Sequence, residues 1–296
     1  MEIIDGKELA KKIREGVKDE ILTKYVSQGK DVPCLVCIIV GENKASKIYV
    51  RSKEKACAEC GMKSLVYEFS EKTTKEELKT FIRKLNEDNG VSGILVQLPL
   101  PKKLDEFRDE IINTISPEKD VDCLTDVNLG KMYAGTGKIA PCTATGVMRI
   151  LDSEGYDLDG KDVVVVGRSL LVGKSVSMLL QQRNATVTNC HSHTQDLKGK
   201  CERADVLVVA VGKPQMITKD YVKDGAFVVD VGINRLPSGL VGDVDFDDVK
   251  DKTSYITPVP GGVGPLTVAC LMENTLLLHN ERTLLKKNEK ENKKQL

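Results

Sequence analysis

DVVVVGRSLLVGKSVSMLL, residues 162–180, carries four consecutive valines into Gly167 and places a second glycine at Gly173. The valines predict a short buried strand, and a helix is expected to start at the second glycine. Glycines at such a turn let the backbone approach a phosphate group, while amides at a helix start supply donors and a favourable dipole. The spacing is not G-x-G-x-x-G, so the loop alone is weak support for a nucleotide. Repetition makes it a fold prediction. ATVTNC (185–190), ADVLVVAVG (204–212) and AFVVDVGIN (226–234) are each a short apolar run ending at a polar or glycine-bearing loop. The series predicts an α/β domain built on a parallel sheet.

The half of the chain before this stretch shows the same alternation. Asp5 can cap a helix whose Leu9, Ile13, Val17 and Ile21 recur at four-residue steps. CLVCIIVG (34–41) reads as a buried strand, Ala45 to Cys60 as a helix stopped by Gly61, and KSLVYEF (63–69) as a strand. TKEELKTFIRKLNEDNG reads as a helix that opens near Thr74 and ends at Gly90, and GILVQLPLP as a strand broken by Pro99 and Pro101. Such alternation requires crossover connections between parallel strands, so the first half is a second α/β domain. LTVACLMENTLLLHNERTLL (266–285), following PVPGGVGP, is apolar at helical spacing and is expected to pack back on the first domain. The expected organisation is residues 1–122, completed by a helix at about 268–285, then residues 140–267, then a charged disordered tail at 286–296.

Composition narrows the function. The 296 residues are 41% hydrophobic and balance 44 basic against 44 acidic side chains, so no net field draws the chain toward nucleic acid or an anionic membrane. A small molecule is the expected partner. The opening MEIIDGKELAKKIREG reads as a strand and an amphipathic helix rather than a targeting segment, and no run of about eighteen apolar residues occurs, so a cytoplasmic enzyme is expected. Nine cysteines, an odd number scattered through apolar segments, read as reduced packing residues. Cys34-x-x-Cys37 and Cys57-x-x-Cys60 are spaced as in a zinc ribbon, but PCLVCIIVG lacks the turn residues of a metal knuckle. A strand would also point Cys34 and Cys37 to opposite faces, so buried thiols and no metal are expected.

Dinucleotide folds that bind NAD place an acidic residue roughly twenty positions beyond the first glycine, on the ribose hydroxyls. This chain has Cys190, His191, Ser192 and His193 there. With no carboxylate to repel a phosphate, and Arg168 and Ser192 available to bind one, NADP is expected rather than NAD. The plain alternative for Arg168 and His191 is a solvated loop. A further pair stands in YVRSK, residues 49–53, where Tyr49 and Lys53 lie one helical turn apart. A tyrosine ring can stack on a flat heterocycle while the amine reaches the reacting atom; equally, the ring can cover an apolar groove beside a solvated lysine. Tyr-x-x-x-Lys suggests a short-chain hydride-transfer enzyme, yet in those enzymes it follows the glycine loop and here it precedes it.

YVRSK, GILVQLPLP, PEKDVDCLTDVN, PCTATG, VVVGRSLLVGKS, DVGIN, GDVDF and PVPGGVGPLTVACLMENT occur in the order found in the bifunctional methylenetetrahydrofolate dehydrogenase/cyclohydrolase family, the FolD family. The chain resembles that family from IIDGKELA to LMENTLLL. The resemblance implies a folate-binding catalytic first domain, an NADP-binding Rossmann-like second domain, a cleft between them, and homodimerisation through the second domain. It implies that Lys53 is the central catalytic group with Gln97 hydrogen-bonded to it, that Tyr49 stacks on the folate, and that Asp122 binds the pterin edge. Val50, Arg51 and Ser52, then Val96 and Leu98 beside Gln97, would border the substrate. Pro260, Gly261, Gly262, Val263 and Gly264 would form a tight wall. Gly167, Arg168, Ser169, Gly173, Ser192 and Ile233 would contact the dinucleotide. Taken without the resemblance, Asp122 could be a loop-capping aspartate, and the glycines at 261, 262 and 264 could merely shape a turn before a helix.

The activity so implied is oxidation of methylenetetrahydrofolate to methenyltetrahydrofolate with NADP, followed by hydrolysis to 10-formyltetrahydrofolate, a route in one-carbon metabolism that feeds purine biosynthesis. Two departures from the family pattern stand out: Cys123 replaces the usual glycine after Asp122, and Leu170-Leu171 replaces a polar-apolar pair. Rival readings are a member of the family with one activity, an NADP-dependent dehydrogenase of a small keto acid, and a nucleotide sensor without catalysis.

Overall fold

A computed structural model of the chain describes residues 1–237 and 239–292, with residues 286, 287 and 289–292 described by backbone alone. The strands, in chain order, are β1 (Glu2–Ile3), β2 (Cys34–Val40), β3 (Lys63–Phe69), β4 (Gly93–Val96), β5 (Asp162–Val166), β6 (Thr186–Cys190), β7 (Val206–Val209), β8 (Phe227–Asp230), β9 (Asn234–Leu236), β10 (Gly239–Val241) and β11 (Tyr255–Ile256). The helices are α1 (Gly6–Lys24), α2 (Lys44–Cys60), α3 (Lys75–Glu87), the short α4 (Lys102–Asp105) and α5 (Arg108–Ile112), α6 (Asp126–Tyr133), α7 (Cys142–Ser153), α8 (Ser175–Gln181), α9 (Leu197–Cys201), α10 (Phe246–Val249) and α11 (Val263–Asn292). They form two compact units: Lys12–Ile139 with the chain from Leu271 on, and Met1–Lys11 with Ala140–Cys270.

The first unit is a parallel sheet in the order β3-β2-β4. β2 is buried along its whole length, which is why it reads as an unbroken apolar run. Val36, Ile38 and Val40 pack with Ile94 and Val96 against Leu78, Ile82 and Leu85 of α3. The helices begin where small polar residues satisfy free amides. Asp5 accepts from the N–H groups of Lys7 and Glu8 (both 3.0 Å), Asn43 caps α2, and Thr74 forms a reciprocal capping box with Glu77. α2 ends at Gly61 in the left-handed region (φ 75°), as its sequence predicts. α3 stops at Glu87, three residues short of the expected Gly90, because Asp88 turns extended and its carboxylate takes the N–H of Gly90 (2.8 Å).

The second unit is a six-stranded sheet in the order β1-β11-β8-β7-β5-β6, with every pairing parallel. β7 and β8 are buried at all four residues each, again matching their unbroken apolar runs. The first residues of the chain were expected with residues 12–122. In the structure the N–H of Glu2 bonds Ser254 C=O (2.7 Å) and the N–H of Ile4 bonds Ile256 C=O (2.9 Å), so β1 pairs with β11. A strand pattern names no partner, so two strands some 250 positions apart in the chain cannot be matched by periodicity. α7 begins within PCTATG. Its Gly146 answers a packing need, since a Cβ there would stand 3.1 Å from Leu266 Cβ.

The expected disordered tail is also helical as far as Asn292, and residues 293–296 lie outside the described residues. Lysine and glutamate are good helix formers, and extending an existing helix needs no new nucleus. All nine cysteines are buried thiols outside any disulfide. Among the described residues no group of three or more His, Cys, Asp or Glu is placed to hold a metal ion, and no helix is long and apolar enough to cross a membrane.

Candidate functional site

Along α2 the buried positions are Ser46, Val50, Lys53, Ala56, Cys57 and Cys60, one stripe at helical spacing. Lys53 therefore occupies a core position and is only 8% exposed. Its Nζ donates to Gln97 Oε1 (2.8 Å), and Gln97 Nε2 donates to the C=O of Leu98 (2.7 Å), which fixes the orientation of the amide. The backbone of Gln97 is held in turn, its N–H bonding Ile38 C=O (2.8 Å) beyond the end of β4. Tyr49, one turn before Lys53, is 42% exposed. Val50 and Val96 are buried, Leu98 packs against the core of the first unit, and Arg51 and Ser52 are exposed. On β2, Cys37 lies within electrostatic reach of both Lys53 and Asp122; burial pushes its thiol up to about 11, against the pull of Lys53.

Asp122 sits in a loop whose anchor is a different aspartate. Asp120 accepts from the N–H groups of Leu124 (3.0 Å) and Thr125 (2.9 Å), from Thr125 Oγ1 (2.7 Å) and from Asn128 Nδ2 (3.0 Å). It is thus the loop cap, leaving Asp122 half-buried beside it. The loop is pressed close to β4: a Cβ on Gly93 would lie 2.2 Å from Val121 Cγ1. Asn274 Nδ2 donates to the C=O of Val121 (2.9 Å) and ties the loop to α11.

Cys123, the first departure from the family pattern, has φ 56°, the left-handed region where glycine is at ease. Its side chain is fully buried, and its Sγ donates to Ile139 C=O at 3.5 Å. Cys123→Gly removes about 1 kcal/mol of backbone strain. It also forfeits about 1 kcal/mol of burial and adds freedom to the unfolded chain worth about 0.7 kcal/mol. The variant is expected to be less stable by about 1 kcal/mol in urea unfolding, not more stable.

In the second unit the turn after β5 is narrower than its sequence reveals. Gly167 has φ 132°, and a Cβ on it would lie 2.2 Å from Ala210 C=O. A Cβ on Gly173 would lie 2.1 Å from Gly167 C=O. The helix does not start at Gly173 as expected. Leu170–Lys174 form a π-helical turn, with Lys174 N–H reaching Ser169 C=O (3.0 Å), and α8 follows from Ser175. Ser175 Oγ donates to Leu170 C=O (2.6 Å), and Asn189 Nδ2 donates to Gly167 C=O (2.7 Å). The loop is a cradle lined by backbone, with Arg168, Ser169, Leu170 and Leu171 exposed along it.

Beyond β6, Ser192 and His193 are exposed and His191 is half-buried; burial, with Arg168 and His193 nearby, pushes His191 below its ordinary value. The nearest carboxylate, Asp196, is occupied in capping α9 through the N–H of Gly199 (3.1 Å). Gly262 packs under Gly6, where a Cβ would meet Gly262 C=O at 1.9 Å. Gly261 has φ 115°, Pro260 is exposed and Val263 is buried. Ile233 lies against Gly264, its Cδ1 3.7 Å from where a Cβ would stand.

Two aspartates in this unit, Asp230 of DVGIN and Asp243 of GDVDF, carry no local signal that sets them apart in the sequence. Asp230 is 3% exposed and Asp243 fully buried. Burial pushes the Asp230 carboxyl from an ordinary 3.8 up to about 6, against the pull of three backbone N–H donors and aided by repulsion from Asp243. Between those two values the folded chain holds a proton that the unfolded chain has released. This group's contribution is therefore full at the acid end of that window and is lost as pH rises through about 6, by about 3 kcal/mol. Asp230→Asn stays neutral throughout. The stability lead of the native chain over this variant should shrink between about pH 4 and about pH 7 in urea unfolding, and a lead that grows would show the opposite linkage.

Comparison with known proteins also divides the chain in two. A family model described as the tetrahydrofolate dehydrogenase/cyclohydrolase catalytic domain matches residues 4–122, and one described as the NAD(P)-binding domain of the same family matches residues 141–283. The chain is 52% identical over 273 residues to the bifunctional protein FolD of Agathobacter rectalis, covering 92% of this chain and 96% of that one. It is similar in structure to the bifunctional FolD methylenetetrahydrofolate dehydrogenase/cyclohydrolase of Campylobacter jejuni, with a TM-score of 0.91 and 48% identity over 95% of this chain and 99% of the other. It is likewise similar to the Trypanosoma brucei dehydrogenase-cyclohydrolase complexed with NADP cofactor and inhibitor, with a TM-score of 0.90 and 39% identity over 95% and 98% of the two chains. The chain belongs to the tetrahydrofolate dehydrogenase/cyclohydrolase family.

Proposed function

We propose that the protein oxidises methylenetetrahydrofolate to methenyltetrahydrofolate with NADP and hydrolyses that product to 10-formyltetrahydrofolate, acting in cytoplasmic one-carbon metabolism and feeding purine biosynthesis. The observation that carries the reading is Lys53, a lysine in the buried stripe of α2 with its amine bonded to Gln97. A lysine held at a core position by a neutral amide, with no carboxylate among the described residues bonded to its amine, is arranged for proton transfer rather than for an ion pair. NADP supplies the hydride acceptor when bound. The residues present fit it: Gly167 and Gly173 permit the tight, backbone-lined turn after β5, Arg168 and Ser192 are exposed, and Asp196, the first carboxylate after β6, is spent on capping α9.

In the oxidation, the methylene bridge gives up a hydride and becomes a cationic methenyl carbon. Tyr49 stacks on the folate and Asp122 accepts hydrogen bonds from the pterin edge, so orientation carries most of this step. In the hydrolysis, water attacks the methenyl carbon, Lys53 Nζ relays the proton so released to the nitrogen that leaves as the ring opens, and the remaining hydroxyl proton passes to solvent as the formyl C=O forms. Gln97 Oε1 holds the amine in line throughout. Val50, Val96 and Leu98 border the folate beside Lys53.

The test is a paired assay of the two folate reactions, each with NAD and with NADP. The reading expects methylenetetrahydrofolate to reduce NADP in preference to NAD, and methenyltetrahydrofolate to be hydrolysed with no coenzyme present. Turnover of a small keto acid with no response to folates would replace it. The proposal includes a homodimer formed through the second unit, and light scattering should return twice the 32.5 kDa chain mass.

A further inference from the structure

Asp230 ends β8, and its carboxylate reaches two loops. Oδ1 accepts from the N–H groups of Gly232 (2.9 Å) and Asp243 (3.0 Å), and Oδ2 from the N–H of Val244 (2.9 Å). Asp243, just past β10, reaches two more: Oδ2 accepts from the N–H groups of Val211 (2.6 Å) and Gly212 (2.9 Å) beyond β7, and Oδ1 from Asn234 Nδ2 (2.8 Å). Five backbone donors and one side-chain amide thus converge on two buried carboxylates, whose charge is met by peptide dipoles. The neighbouring glycines leave them room. A Cβ on Gly232 would lie 2.3 Å from Asp243 Cγ, and one on Gly242 would lie 1.7 Å from Asp230 Oδ2.

The loops so joined, 211–212, 232–234 and 243–244, all leave the carboxyl end of the parallel sheet or stand beside it. Ligands of open α/β sheets lie beyond that end of the strands. Ile233, exposed between Gly232 and Asn234, is presented there by a segment whose two flanking residues are both bonded to the aspartates. A buried, fully bonded polar network of this kind fixes one arrangement of the loops, since breaking any bond strands a desolvated group. We propose that Asp230 and Asp243 are positioning residues for the coenzyme, setting the 232–234 loop so that dinucleotide affinity depends on them while the hydrolytic step does not. The inference rests on the reading of the second unit as the coenzyme-binding one.

Asn234→Ala is the gentler probe, because it removes one bond to Asp243 and leaves both carboxylates with their backbone donors. Asp243→Asn is the stronger one, since it removes the charge from the acceptor of the Val211 and Gly212 N–H groups and turns an amide N–H₂ toward the Nδ2 of Asn234. NADP dissociation constants by calorimetry, KM for NADP and kcat for the oxidation, and the rate of methenyltetrahydrofolate hydrolysis are measured on each. The expected result for Asn234→Ala is an NADP Kd and KM raised roughly tenfold, kcat at saturation within about threefold, and hydrolysis within about twofold of the native chain. Asp243→Asn should shift Kd further in the same direction, and if it fails to fold Asn234→Ala decides alone. An unchanged NADP Kd in Asn234→Ala, or hydrolysis falling in step with it, overturns the proposal. Should the native chain turn over no folate yet bind NADP, the proposed activity fails while the calorimetric comparison still tests the positioning role.

Discussion

Lys53→Met is expected to lower methenyltetrahydrofolate hydrolysis by about 10³-fold, the scale of a lost general acid-base group, with the fold retained. Methionine nearly matches lysine in length, and the stripe it would join already holds Val50, Ala56 and Cys57. Cys57 is itself in contact with Met272 (Sγ to Sδ, 3.6 Å), so a second thioether meets soft, apolar neighbours. The one polar cost falls on Gln97, whose Oε1 loses its donor, worth about 1 kcal/mol. Unfolding midpoints should therefore move little while hydrolysis disappears, and NADP binding by calorimetry should persist. That split separates loss of a reacting amine from loss of structure. Full hydrolytic activity in the variant would remove Lys53 from its role.

Gly173→Ala should act on the other reaction. Its new methyl would stand 2.1 Å from Gly167 C=O and 2.8 Å from Arg168 N–H nitrogen, both backbone atoms of the same turn, so the turn must open. Hydrogen bonds to a charged phosphate are worth about 1.5–3 kcal/mol each, and misplacing two amides forfeits a factor of about 10² or more in affinity. Oxidation should fail at ordinary NADP concentrations while methenyltetrahydrofolate hydrolysis, which uses no coenzyme, continues. An overpacked turn also costs about 1–3 kcal/mol of stability. Unaltered NADP affinity would mean that the turn after β5 does not hold the dinucleotide.

Much of this architecture is legible in local pattern. The unbroken runs of β2, β5, β7 and β8 announce strands buried on both faces, and Asp5, Thr74 and Gly61 mark helix ends by chemistry that needs no tertiary partner. What local pattern lacks is pairing across the chain. β1 joins β11, Gly93 makes room for Val121, and Gly6 makes room for Gly262, each a contact between distant segments. The same limit hid Asp120, Asp230 and Asp243, which in sequence are loop aspartates like many others. Only their converging N–H donors set them apart.

The candidate site divides in the same way. Lys53 and Gln97 stand 44 positions apart and were paired by resemblance; the structure supplies the 2.8 Å bond and the burial. Spacing alone left Lys53 either reacting or solvated, because a stripe at 46, 50, 53, 57 and 60 becomes visible only once Ser46 and Cys57 are known to be inside. Cys123 reads as a departure from a glycine, and its positive φ gives that departure its physical meaning.

The most direct test of the central claim is a crystal structure of the protein with NADP and a non-reactive analogue of methenyltetrahydrofolate. It should show Lys53 Nζ, still bonded to Gln97, about 3 Å from the one-carbon position or from a water lying against it. An amine turned away from the folate, more than about 6 Å from that carbon with no bridging water, would contradict the account.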